Sequence, residues 1–201
     1  MYEVELKVRA DHDAVRKRLA SLDAVRRGHV RQTDDYYDAP HRSFTETDEA
    51  LRVRRERTVG DENGDAASDA DEDGTGAHDA VTVLTYKGPL VEEESKTREE
   101  RETAVADSDA VEGILVGLGF ETAATVEKER EAYEVDGYAV TLDRVAGLGE
   151  FVEVECEADA DEVPAAREGA VALLRELGLD PDDHIRTSYL GLLLAESDAQ
   201  Q

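Results

Sequence analysis

Polar and apolar positions alternate along most of this chain. The opening YEVELKVR puts Tyr2, Val4, Leu6 and Val8 on one side and Glu3, Glu5, Lys7 and Arg9 on the other. That is the period of a strand with one apolar face. Asp11 reads as the N-cap of a helix over about 12–25, with Val15, Leu19 and Leu22 on one stripe. Strands follow in VRQTDDYYD (30–38) and ALRVRRE (50–56), the second placing Arg52, Arg54 and Glu56 on one face. Residues 58–80 break the pattern: acids and glycines dominate, without Lys or Arg, which predicts a solvated loop inserted between two hairpin strands. A calcium-type acidic loop is the sharper reading of that stretch, but its spacing matches no such pattern.

Alternation resumes in VTVLTYKGP (81–89) and KTREERETAV (96–105). A helix over about 108–118 precedes the strands TVEKEREAYEV (125–135), YAVTLDRV (138–145) and FVEVECEA (151–158), with a tight turn at Gly137. Helices over about 161–178 and 188–195 close the chain. The order of elements repeats weakly at a displacement of 96 residues, VRADHDAV (8–15) matching VADSDAV (105–111) and VRQTDDYYD matching VEKEREAYE (126–134). Two similar sheet-and-helix halves facing each other are expected. Many strands with few helices indicate an α+β protein.

One side of segment after segment is charged: Glu3-Glu5-Lys7, Arg52-Arg54, Lys87, Lys128-Arg130, Asp143 and Glu153-Glu155, with Arg98 and Glu100 as a further pair. If the sheet closes into a barrel, these rows line its lumen and the apolar rows pack beneath amphipathic helices. A lumen carrying both signs needs an ionic ligand, because unpaired buried charge is costly. Arg and Lys clusters suit a polyanion such as a triphosphate. The carboxylates would repel it unless a hard divalent cation, Mg²⁺ or Mn²⁺, lay between them.

Composition sharpens this picture. A chain of 201 residues with 40% hydrophobic content can build one domain, expected over 1–196 with the acidic insertion at 58–80 and a tail at 197–201. The net charge of −27 argues against a nucleic-acid partner. Of the 23 basic residues only 5 are Lys, Asp is abundant and Trp is absent, the profile of a halophilic surface. Lys7, Lys87 and Lys128 nevertheless sit in strands, where a charge must be paired. No apolar run approaches membrane-spanning length and no signal-peptide pattern opens the chain, so a cytoplasmic location is expected, with no membrane partner. The lone Cys156 reads as core. His12, His29, His41, His78 and His184 are scattered, with no nucleophile beside any, and read as surface residues. Oligomerisation leaves no mark, and a homodimer is the default.

The ordered motifs resemble the CYTH superfamily, the triphosphate tunnel metalloenzymes. EVELK is similar to the family's ExExK opening, and QTDDYYD, EALRVR, TYKGP, TREERE, VEKER, TLD, LGEFVEVE and RTSYLGLLL follow in the family's order. The resemblance spans nearly the whole chain outside 58–80, and is nearest the class IV adenylyl cyclase-like branch. It implies an eight-stranded antiparallel tunnel, with Glu3, Glu5, Asp143, Glu153 and Glu155 on the metal side. Lys7, Arg52, Arg54, Lys87, Lys128 and Arg130 would hold phosphates, with Glu3, Glu5 and Lys7 central to catalysis. Arg98 and Glu100 join them if the register of KTREERE does not slip by one. The implied reaction is conversion of ATP to cyclic AMP and pyrophosphate. Hydrolysis of tripolyphosphate or thiamine triphosphate is the alternative, and a noncatalytic polyphosphate- or nucleotide-binding module a third reading.

Overall fold

In the computed structural model, described here for residues 2–60, 81–92 and 97–199, eight strands close into one antiparallel barrel. They are β1 (Tyr2–Arg9), β2 (Val25–Asp38), β3 (Ala50–Thr58), β4 (Val81–Glu92), β5 (Thr97–Val105), β6 (Glu121–Val135), β7 (Tyr138–Val145) and β8 (Gly149–Ala158). Their order around the barrel is β1-β5-β4-β3-β2-β6-β7-β8. The helices are α1 (His12–Ser21), α2 (Phe44–Thr47), α3 (Ser108–Gly117), α4 (Val163–Glu176) and α5 (Tyr189–Ala199), with a short 3₁₀ turn at Pro181–Asp183. Most of the acidic insertion, residues 61–80, lies outside the described residues, as does Lys96. Among the described residues no helix is long and apolar enough to cross a membrane.

Strand alternation decides what goes where. The outward rows Leu6 and Val8, Val140 and Leu142, and Val152 and Val154 form the main core with Val15 and Leu19 of α1 and Ala170, Leu173 and Leu174 of α4. A smaller core under α3 joins Tyr37 and Val53 to Leu115. The main hydrophobic core thus lies outside the barrel, between strands and helices, while a smaller cluster of Tyr36, Val126, Val145, Leu148, Phe151 and Tyr189 closes one end of a lumen otherwise lined by the charged rows. Cys156 is half-buried against Val4, Ala158 and Val163.

The 96-residue repeat is structural. It carries α1 onto α3 and β2 onto β6, and Asp11 and Asp107 are equivalent N-caps, each accepting the backbone N–H three residues on at 2.9 Å. The two β-α-β-β-β units do not face each other as separate halves, however. They pair along β1–β5 and β2–β6 into a single closed barrel. A two-fold exchange of the units maps the strand order onto itself.

Two local expectations change. The first helix stops at Ser21 rather than near 25, because Leu22 is its C-cap and Asp23 turns the chain out at φ 53°. That lets β2 begin at Val25, five residues before the apolar pattern starts. His12 is buried at 3% exposure, not on the surface: its Nε2 lies 3.0 Å from the carbonyl oxygen of Phe151, tying α1 to β8. Gly147 and Gly149, both at positive φ, make the turn between β7 and β8.

Candidate active site

Register aligns the charged side chains. Across β1–β8, Glu5 stands opposite Glu155 and Lys7 opposite Glu153. Across β6–β7, Arg130 faces Asp143; across β2–β3, Arg54 faces Asp34; across β4–β5, Lys87 faces Glu100. Directly paired side chains on one face of a ladder are close enough to interact. Apart from Asp34 and Asp143, which sit behind the arginines, these side chains line a cavity of about 950 Å³.

The acids divide into two groups. Glu3, Glu5 and Glu155 bring one carboxylate oxygen each within 4.8 Å of one another. Burial drives the Glu3 carboxyl up to about 8 against the pull of Lys87, with Glu100 and Glu5 adding to the rise. Glu155 is raised by burial and by Glu153 and Glu5, with Arg130 opposing. Three hard oxygen donors held together against their own repulsion fit a divalent cation of the Mg²⁺ or Mn²⁺ type.

Asp143 and Glu153 are engaged differently. Burial opposes ionisation of Asp143, but Arg130 and Lys128 outweigh it and hold the carboxyl well below the usual range. Arg130 grips Asp143 with Nε at 2.6 Å and a terminal nitrogen at 2.5 Å, and Lys128 lies 3.2 Å away. Glu153 accepts from Arg130 and lies 3.8 Å from Lys7. These acids therefore neutralise and orient the basic wall, and the three-carboxylate cluster does not include them.

The bases also differ. Lys87 bridges Glu3 and Glu100 at 2.7 Å each, and those carboxylates with Glu5 raise its pKa against burial and Arg52. Lys128 moves the other way, down to about 8, through burial and the charge of Arg130, with Asp143 opposing. Arg54 is committed to Asp34, a bidentate pair at 2.6 and 2.7 Å. Arg52 has only loose carboxylate neighbours, Asp34 at 3.6 Å and Glu100 at 4.0 Å, and its buried Nε has no partner among the described residues. Arg98 points inward but holds the backbone oxygen and carboxylate of Asp48 at 2.8 and 3.1 Å, fixing the approach to β3.

Two residues of the site escape the sequence reading. Asp34 is 1% exposed and organises both Arg52 and Arg54. Its signal was available, since it alternates with Gln32 and Tyr36 in QTDDYYD on the strand paired to the arginines. Tyr189 closes the lumen from the start of α5, packed on Val126, Val145 and Phe151 from the inward rows of β6, β7 and β8. Nothing in the apolar run YLGLLL marks it as a lumen residue.

The geometry is that of a polar tunnel in which a three-carboxylate cluster stands among cations that are themselves partly paired with acids. A model of the CYTH domain family matches residues 1–189. The chain belongs to the CYTH domain family. It is 35% identical over 194 residues to a Methanocaldococcus jannaschii protein provisionally named an adenylate cyclase, covering 96% of this chain and 98% of that one. The PH1819 protein of Pyrococcus horikoshii superposes with a TM-score of 0.82 at 38% identity, covering 96% of this chain and 99% of that one. A Hippeastrum protein provisionally named an adenylyl cyclase, and described as having a dominant triphosphatase activity, shares the fold at 18% identity and a TM-score of 0.58, covering 98% and 95% of the two chains. CYTH enzymes act on triphosphates with divalent metals.

Proposed function

We propose that this protein is a metal-dependent enzyme of nucleoside triphosphates, converting ATP to cyclic AMP and pyrophosphate as class IV adenylyl cyclases do. The observation that carries the reading is the Glu3–Glu5–Glu155 cluster facing Lys7, Arg52, Lys87 and Arg130 inside one cavity. The lining already balances most of its cations with carboxylates, so a triphosphate bearing about four negative charges cannot enter alone. Divalent cations on the triad would make the combined charge acceptable.

A cation there, when bound, supplies Lewis-acid polarisation of phosphate oxygens. The chain's own residues do the rest. Lys7, Lys87, Arg52 and Arg130 bind the phosphates and stabilise the charge that builds on the departing pyrophosphate. Asp143 and Glu153 hold Arg130 in place, and Asp34 holds Arg54. The ribose 3′-oxygen bonds to the α-phosphorus, the bond to the pyrophosphate oxygen breaks, and the 3′-hydroxyl proton passes to solvent water. The cavity also has apolar lining from Tyr37, Phe44, Leu51, Leu190 and Leu194, a surface suited to a base rather than to bare tripolyphosphate.

The second reading is hydrolysis in the same tunnel, with water in place of the 3′-hydroxyl. It is favoured by the Hippeastrum protein, where triphosphatase activity dominates on this fold. A product assay separates the two. Purified protein in high KCl receives Mg²⁺ or Mn²⁺ and either ATP or tripolyphosphate, with Glu5→Gln as the control for contaminants. Cyclic AMP with pyrophosphate, lost in the variant, is the expected result. Orthophosphate without cyclic AMP would replace the cyclase reading with the hydrolase.

A further inference from the structure

Tyr189 is the first residue of α5, yet its side chain lies inside the barrel and is 6% exposed. Its ring meets Phe151 edge-on, with centroids 5.0 Å apart, and packs on Val126, Val145 and Leu148. The Lys7 ammonium sits 4.3 Å from the ring centroid and the Lys128 ammonium 5.2 Å. Both lysines are buried, and Lys7 also has the carboxylates of Glu5 and Glu153 at 3.9 and 3.8 Å. The electron-rich ring face thus shares the work of holding two tunnel cations. The backbone reinforces the contact: Ile185, four residues earlier, donates its N–H to the carbonyl of Lys7 at 2.7 Å.

None of this needs a hydroxyl. Phenylalanine would fill the same space and present the same face to both ammoniums. The Tyr189 hydroxyl is nevertheless buried with no hydrogen-bond partner among the described residues, an arrangement that costs stability. Burial, with Glu153 and Asp143 adding, raises its pKa well above the ordinary tyrosine value. The group therefore stays a neutral phenol near neutral pH, able to donate a hydrogen bond to an anionic oxygen without repelling it.

We propose that Tyr189 is a ligand-contacting residue of this tunnel: its hydroxyl donates a hydrogen bond to a phosphate oxygen of the bound triphosphate, and its ring sets the positions of Lys7 and Lys128. The proposal rests on the triphosphate reading above and adds a neutral donor beside the cations Lys7 and Lys128. It assigns the start of α5 a part in recognition as well as in closing the barrel.

The test compares Tyr189→Phe and Tyr189→Leu with the wild type, titrating Mg²⁺ alone and then tripolyphosphate in the presence of Mg²⁺. Tyr189→Phe keeps the ring and loses the hydroxyl. Its thermal midpoint should equal or exceed that of the wild type, and its Mg²⁺ affinity should be unchanged. Its tripolyphosphate affinity should fall about tenfold or more, the scale of a lost hydrogen bond to a charged group. Tyr189→Leu should lose several-fold more through the displaced lysines. Unchanged tripolyphosphate affinity in Tyr189→Phe would overturn the hydroxyl assignment. Equal affinities in the two variants would overturn the role of the ring. A wild type with no Mg²⁺-dependent tripolyphosphate binding would overturn the triphosphate reading itself, and this assignment with it.

Discussion

Glu5 and Glu155 stand directly opposite each other on the inward face of the β1–β8 ladder, with Glu3 completing a cluster whose oxygens lie within 4.8 Å. Like charges placed this way destabilise a sheet. A cation between them reverses the sign. Glu155→Gln should therefore raise the stability of the metal-free protein, by about 0.5–1 kcal/mol, while greatly weakening its Mg²⁺ or Mn²⁺ binding. Denaturant melts with and without metal, beside a metal titration, check both halves. A variant that loses stability and keeps its metal affinity would mean the cluster is not a metal site.

The Arg130–Asp143 pair should behave in the opposite way. Asp143 is fully buried and held by Arg130 and Lys128, so removing Arg130 leaves a buried carboxylate short of countercharge. Arg130→Met should cost about 3–5 kcal/mol. Chemical denaturation without metal or ligand measures this, and a loss below about 1 kcal/mol would place the pair outside the stabilising network.

Lys128 gives a pH signature. Its folded pKa is depressed to about 8 by burial and Arg130, from 10.5 in a free side chain. Below 8 both folded and unfolded chains hold the proton. Between 8 and 10.5 the unfolded chain keeps it and the folded chain has released it, so this group's contribution to stability rises with pH in that window. Wild type should gain stability relative to Lys128→Met from pH 8 to 10.5, measured by paired denaturant titrations. A flat difference would indicate an ordinary lysine.

The surface predicts a salt response. We read the net charge of −27 as a surface suited to concentrated salt, where self-repulsion is screened within about 3 Å at 1 M. The thermal midpoint should climb steadily as KCl is raised from 0.1 to about 2 M. A midpoint that falls or stays level would remove the halophilic reading.

What the sequence made legible follows from period two. Alternation in EVELK, LRVR and FVEVE assigned the charges a face, and the closed barrel has Glu5, Lys7, Arg52, Arg54, Glu153 and Glu155 along its cavity. Alternation carries no information about which charge meets which. The division of the acids therefore emerged only in three dimensions, with Glu3, Glu5 and Glu155 clustered and Asp143 and Glu153 bound to Arg130. Tyr189 was hidden for a related reason: it reaches the lumen from the end of the barrel, on a helix whose apolar run reads as ordinary packing. The repeat was visible as matched segments, but whether two units face each other or interleave depends on strand pairing that no local pattern encodes.

The most direct test of the account is a calorimetric titration of tripolyphosphate into the wild-type protein with and without Mg²⁺, repeated with Glu5→Gln. Binding that requires Mg²⁺, and that disappears in Glu5→Gln while the variant remains folded, is the predicted result. Tight binding without metal, or binding indifferent to Glu5, would contradict the carboxylate cluster as the means by which this tunnel accepts a triphosphate.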